Sequence, residues 1–231
     1  GDEVYEEPTY EEPTYGQTSE DQSALANSLT AENCTDSFSD VKDTDWHQSY
    51  ICRLQKAGII DGQSPSIFNP NAYITNAEVV KIVLGIAGYT TVDTQNKTPN
   101  HPDVKNPSDW YYKWIGLGDS LNLTRGLGEN YYPNEPATRG FVAVMVARAA
   151  NISRYGYTEA DLAQFYSDVH SADSYAYAIL ALSEAPQVYV PDVGYVNVLE
   201  GYADGTFKPN NPITRAEVSA IVLRTSLAWN L

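Results

Sequence analysis

The stretch Ile213-Thr214-Arg215-Ala216-Glu217-Val218 decides how the chain is read, because variants of it recur at Ile74-Thr75-Asn76-Ala77-Glu78-Val79 and Ala137-Thr138-Arg139-Gly140-Phe141-Val142. A Thr followed three residues later by Glu marks a capped helix start: the hydroxyl accepts an amide of the first turn, and the carboxylate reaches back to the cap amide. Behind each start runs an apolar stripe at helical spacing, as in Val79, Val80, Val83, Ile86 and Ala87. Each variant therefore predicts a helix with one face to bury.

Upstream of each start lies a second recurring element: Phe38-Ser39-Asp40-Val41, His101-Pro102-Asp103-Val104 and Tyr166-Ser167-Asp168-Val169. The Asp stands 35 residues before the Thr in the first two copies and 46 before it in the third, which places about eleven inserted residues in the 186–196 stretch. An aromatic follows each Asp (Trp46, Trp110, Tyr175), then apolar residues at helical spacing such as Tyr50, Ile51, Leu54 and Ala57, then turn residues beginning at Gly58. Each copy predicts helix, long turn, helix. A pair of about 50 residues cannot hide its own stripe, so the three pairs are expected to pack on one another as an all-α body. A short polar helix is expected near Ser23 to Leu29, and residues 88–100 and 151–164 connect the units.

Composition narrows the function. The 231 residues carry 14 Lys+Arg against 30 Asp+Glu, a formal charge of −16, so the phosphate-neutralising surface needed for nucleic acid is missing. The longest apolar runs, Val79 to Ala87 and Phe141 to Ala150, reach about half the roughly 20 residues that span a bilayer. The chain opens on Gly1, which is compatible with export after removal of a signal peptide. In an exported protein Cys34 and Cys52, 18 residues apart, read as a loop-closing disulfide worth roughly 3 kcal/mol, with two free thiols as the alternative. Without a His pair they cannot complete a tetrahedral metal site. His47, His101 and His170 are expected at the surface. Asp40, Asp43 and Asp45 lack the glycine and distal Glu of a calcium loop, and no nucleophile arrangement or phosphate loop is present. Neither an enzyme nor a cofactor is expected.

Residues 1–22 hold eight acids and no Lys or Arg, leaving about −8 for the rest. A five-residue unit repeats there as Tyr5-Glu6-Glu7-Pro8-Thr9 and Tyr10-Glu11-Glu12-Pro13-Thr14, followed by Tyr15. Proline at every fifth position forbids a helix and favours an extended tail.

These motifs together, with Gly58-Ile59 before the first turn, Gly205-Thr206-Phe207-Lys208-Pro209 in the third and Ile-Thr-Arg-Ala-Glu at 213–217, resemble the S-layer homology domains of bacterial surface proteins over roughly residues 36–228. The resemblance implies three helix-turn-helix modules in a pseudo-threefold bundle. It also implies inter-module grooves that bind secondary cell-wall polysaccharide, often pyruvylated, or another peptidoglycan-linked polymer. On this reading residues 1–35 are the tail and a short linker, and 36–90, 91–155 and 156–231 are the modules, the last with the insertion.

Thr75 with Glu78, and Thr214 with Glu217, are explained as capping boxes; Thr138 lacks its partner because Phe141 replaces Glu. Arginine is the unexpected residue, since a cation in the first turn meets the positive end of the helix dipole. Arg139 and Arg215 beside free helix amides would form an anion site suited to an acidic sugar, whereas Asn76 offers no charge. Trp46, Trp110 and Tyr175 could stack on sugar faces. The candidate ligand set is thus these aromatics with Thr75, Asn76, Glu78, Thr138, Arg139, Thr214, Arg215 and Glu217. The rival expectation is a self-assembling subunit of a filament, tube or lattice, with Tyr5, Tyr10 and Tyr15 laid on a neighbouring copy as an assembly tail.

Overall fold

The Asp of each Asp-Val pair is a staple. Asp40 accepts the amides of Phe68 and Asn69 at 2.9 and 2.7 Å, Asp103 those of Tyr131 and Tyr132 at 2.9 and 2.7 Å, and Asp168 those of Phe207 and Lys208 at 2.7 and 2.8 Å. The second residue of each pair has left-handed backbone, with φ of 61°, 54° and 57° for Asn69, Tyr132 and Lys208. The carboxylate satisfies two adjacent amides that no helix or sheet could pair, and so fixes each long turn.

The computed structural model describes residues 19–35, 38–229 and 231. Tyr5, Tyr10 and Tyr15, with the assembly role expected of them, lie outside the described residues. The elements in order are α1 (Ser19–Thr30), α2 (Gln48–Lys56), α3 (Asn76–Ile86), α4 (Tyr112–Ser120), α5 (Arg139–Ala149), α6 (Glu159–Ala163), α7 (Ala176–Ser183), β1 (Val188–Val190), β2 (Gly194–Val196) and α8 (Arg215–Trp229). Helix α2 ends as its sequence predicts: Gly58, at φ 71°, donates to the Gln55 carbonyl, and Ile59 donates to that of Leu54.

Helices α3, α5 and α8 pack against one another and carry the most buried stripe, including Val79, Val80, Val142, Met145, Val218 and Val222. Around them α2 lies on α8, α4 on α3 and α7 on α5, so each first helix covers the second helix of another copy. The strips before the three central helices close a ring. Ile74 donates to the Ile213 carbonyl at 3.1 Å, Ile213 to Ala137 at 3.0 Å, and Ala137 to Ile74 at 2.8 Å.

The all-α expectation, three helix-turn-helix repeats packed as a pseudo-threefold bundle, is corrected here. Helix accounts for only 36% of the structure, and β1 and β2 form an antiparallel hairpin pairing Val188 with Val196 and Tyr189 with Tyr195. The hairpin occupies the inserted stretch, whose alternating Val188-Tyr189-Val190 and Tyr195-Val196 suit a half-buried strand rather than a helix. The long stapled turns account for much of the remainder. Helix α6 in the second connector opens on a Thr158–Asp161 capping box.

Cys34 and Cys52 are disulfide-bonded, with Cα atoms 6.0 Å apart, tying the segment after α1 to α2. Fully buried Arg53 extends the tie: it donates to the Ala31 carbonyl and to Asp192, both at 2.7 Å, which anchors the hairpin turn to that segment. Arg53 holds the Asp192 carboxyl below its ordinary value by hydrogen bonding to it.

Two of the three histidines are not surface residues. His101 is buried between the Glu129 carbonyl at 2.9 Å and Asp119 at 3.1 Å, and His47 is buried with burial holding its pKa down. Both pack within their own copy, His101 against Tyr131 and His47 against Trp46, which composition could not reveal.

Candidate functional site

The helix starts at Arg139 and Arg215 were expected to offer free amides. Instead, those amides are occupied by neighbouring turns. The amides of Arg215 and Ala216 donate to Ala72 and Pro70 at 2.9 and 3.0 Å, those of Arg139 and Gly140 to Asn211 and Pro209 at 3.0 and 2.8 Å, and those of Asn76 and Ala77 to Glu135 and Pro133, both at 3.0 Å. The next amide in each case is capped by Thr75, Thr138 or Thr214. Glu78 and Glu217 complete capping boxes, accepting the amides of Thr75 and Thr214 at 2.8 and 2.9 Å.

The arginine side chains reach across to the same turns, away from the positive end of their own helix. Arg215 donates to the carbonyls of Phe68 and Asp61 at 2.9 and 2.7 Å and to Glu78 at 2.6 Å, with its guanidinium over the Phe68 ring at 4.5 Å. Arg139 donates to the carbonyls of Phe207 and Glu200, both at 2.8 Å, and lies 3.5 Å from Glu217, with its guanidinium 4.5 Å from the Phe207 ring and 4.9 Å from that of Tyr202. Asn76 donates to Tyr131 and Tyr132 carbonyls at 3.3 and 3.0 Å. Each glutamate thus divides its oxygens, one closing its own helix cap and the other receiving the arginine of another copy. Both arginines are buried, and burial pulls the Arg215 guanidinium below its ordinary value against the opposing pull of Glu78. Their first task is to lock turns in place.

One of these corners opens on a cavity. A hollow of about 270 Å³ is lined by Ile59 to Gln63, Glu78, Lys81, Ile82, Trp110 and Arg215. Trp110 is 53% exposed, and Lys81 pairs with the exposed carboxylate of Asp61 at 2.7 Å. Arg215 uses three of a guanidinium's five N–H donors on the protein, leaving two. Glu78, Trp110 and Arg215 of the sequence-derived set are therefore brought together. Lys81, Asp61 and Gln63 were not anticipated. Lys81 had a signal, since it lies three residues after Glu78 and so on the same helix face.

The other aromatics sit elsewhere. Trp46, 57% exposed, lies edge-on to His47 at 5.3 Å and 6.3 Å from Tyr50, whose hydroxyl accepts from Arg224 at 2.8 Å. Tyr175 packs over Gly140, where an added Cβ would lie 3.0 Å from its ring, so glycine at this helix start, in place of the alanine at Ala77 and Ala216, lets the ring pack closely. Phe141 is half-buried, 6.2 Å from the Tyr131 ring.

Comparison with known proteins bears on this arrangement. Residues 37–80 and 197–219, which contain the stapled turn at Phe68, the Glu78 cap and the Arg215 corner, match the S-layer homology domain. The chain belongs to the S-layer homology family. It is similar to an endoglucanase of Bacillus sp. (strain KSM-635), 30% identical over 90% of this chain and 20% of the relative. It is also similar to the S-layer protein EA1 of Bacillus anthracis, 26% identical over 82% of this chain and 20% of the relative, and to an S-layer protein of Bacillus licheniformis, 25% identical over 53% and 14%. The chain thus spans no more than a fifth of the length of these relatives. As a member of this family it is a bacterial cell-surface sequence with a cell-wall-anchoring role. Among the described residues no helix is long and apolar enough to cross a membrane.

Proposed function

We propose that the chain is a non-catalytic anchoring module that holds an acidic unit of secondary cell-wall polysaccharide in the hollow at Arg215. The observation that carries this reading is the convergence, in one 270 Å³ hollow, of an exposed indole, a lysine and a guanidinium with donors to spare. The apolar face of a sugar ring suits Trp110, and an acidic substituent suits the two remaining Arg215 donors and Lys81.

The formal charges lining the hollow balance, Arg215 and Lys81 against Glu78 and Asp61. An acidic guest is therefore favoured only if Lys81 leaves Asp61. That exchange is inexpensive, because the pair is exposed and such pairs are worth about 0–1 kcal/mol. The Arg139 corner, with the longer 3.5 Å approach to Glu217 and the Tyr202 and Phe207 rings 4.9 and 4.5 Å from the guanidinium, is a weaker second candidate.

The test is co-sedimentation of the purified chain with bacterial cell-wall sacculi. Trp110→Ala and Lys81→Ala, both at exposed or half-exposed positions, are expected to lower the bound fraction about tenfold without loss of thermal stability. Binding that survives both substitutions refutes this site.

A further inference from the structure

Lys81 stands on a ridge between two cavities. On one side lies the hollow at Arg215. On the other lies a hollow of about 790 Å³, walled by Leu25 and Ser28 of α1, the end of α2 at Lys56, the later turns of α3, the 89–93 segment and Trp114. Ile59 and Lys81 line both. Trp110 and Trp114, four residues apart, serve the smaller and the larger hollow respectively.

We infer that the larger hollow receives the sugar units that follow the one held at Trp110, so that both cavities form one groove for an acidic oligosaccharide. This rests on the anchoring reading above and adds to it the length of polymer recognised. Three observations support it. The volume lies within the roughly 300–1,000 Å³ of ordinary ligand sites and is far larger than the first hollow, so it suits more than one unit. With Lys81 counted once, the two hollows together carry Lys56, Lys81 and Arg215 against Asp61, Glu78 and Asp93, a formally neutral groove in a chain of −16. Asp93 is turned to its own loop, accepting the Thr90 amide at 2.7 Å, while Lys56 is exposed and has no ion-pair partner among the described residues. Helix α1 lies outside the two segments that match the family model, so this wall stands beside the matched domain.

Titration calorimetry on the full chain tests the inference, using acidic wall polysaccharide hydrolysed to the single terminal sugar and to fragments of three or more units. The fragments are expected to bind about tenfold more tightly than the single sugar. Lys56→Glu and Thr91→Trp, both at exposed positions on the rim of the larger hollow, are expected to erase that advantage and leave single-sugar affinity unchanged. Equal affinity for both probes on the unmodified chain overturns the inference, as does a length advantage that survives both substitutions. Trp110→Ala separates the two readings: it should weaken the single sugar. If single-sugar binding persists there, the smaller hollow is not its site and the continuous groove falls with it. A length advantage lost only in the Lys56→Glu and Thr91→Trp variants supports the groove.

Discussion

The Arg215 and Asn76 corners occupy equivalent places in the repeat, and their differences are paired. Where Arg215 meets Glu78, Asn76 stands in the copy whose neighbour carries Phe141 in place of the glutamate. Donor and acceptor are absent together, although they belong to different copies. The arginine is therefore matched to a carboxylate on the next central helix, and neither residue can be understood within its own copy. The charged corner opens on a hollow. At the neutral one, Phe141 and Tyr131 fill the neighbourhood with rings, and Asn76 needs only two backbone carbonyls.

The largest effect expected of this contrast is on stability. Arg215→Ala leaves Glu78 and two turn carbonyls without their cation and should cost about 3 kcal/mol in urea unfolding. Arg139→Ala should cost less, given its longer ion pair, and Asn76→Ala about 1 kcal/mol. Equal losses at all three would erase the distinction. Transplanting the pair sharpens it. Asn76→Arg and Phe141→Glu should each destabilise alone, and the double variant should recover a coupling of about 1 kcal/mol in a double-mutant cycle.

A smaller effect concerns ligand. Asp61→Asn frees Lys81 and should strengthen polysaccharide binding about twofold by calorimetry, since an exposed pair holds the lysine only weakly. The smallest lies far from either corner. Exposed Glu159 hydrogen-bonds His170 at 2.7 Å, raising the His170 pKa above 6.5, while the Ser171 amide and His170 lower Glu159 to about 2. The pair's contribution is complete between about pH 4.5 and 6.5, fades as pH rises through the folded His170 value, and fades as pH falls from 4.5 through about 2. In Glu159→Gln, an NMR titration should return His170 to its ordinary value, with no change in resonances at Arg215.

Much of this was legible in the residues. The Thr-x-x-Glu boxes, the Gly58 helix end and the disulfide depend on spacing along one chain, and spacing is what a sequence displays. The hairpin was legible too, since Val188-Tyr189-Val190 and Tyr195-Val196 alternate, but those residues read as an insertion between helices rather than as strands. The arginines were misread in direction. A helix start seen alone has free amides, whereas here neighbouring turns have filled them and the guanidinium reaches outwards to a carbonyl cage.

By itself, then, the sequence determined the local rules: the Thr-x-x-Glu boxes at Thr75 and Thr214, the glycine end of α2, the Cys34–Cys52 pair and the family to which the chain belongs. Only the tertiary structure decided which copy's arginine meets which copy's glutamate, how closely Tyr175 lies over Gly140, and that Trp110 and Lys81 border one hollow. The physical reason is range. Capping and helical periodicity act within a few residues, while Arg215 finds Glu78 across 137 positions, an encounter that exists only once the strips before α3, α5 and α8 have closed their ring.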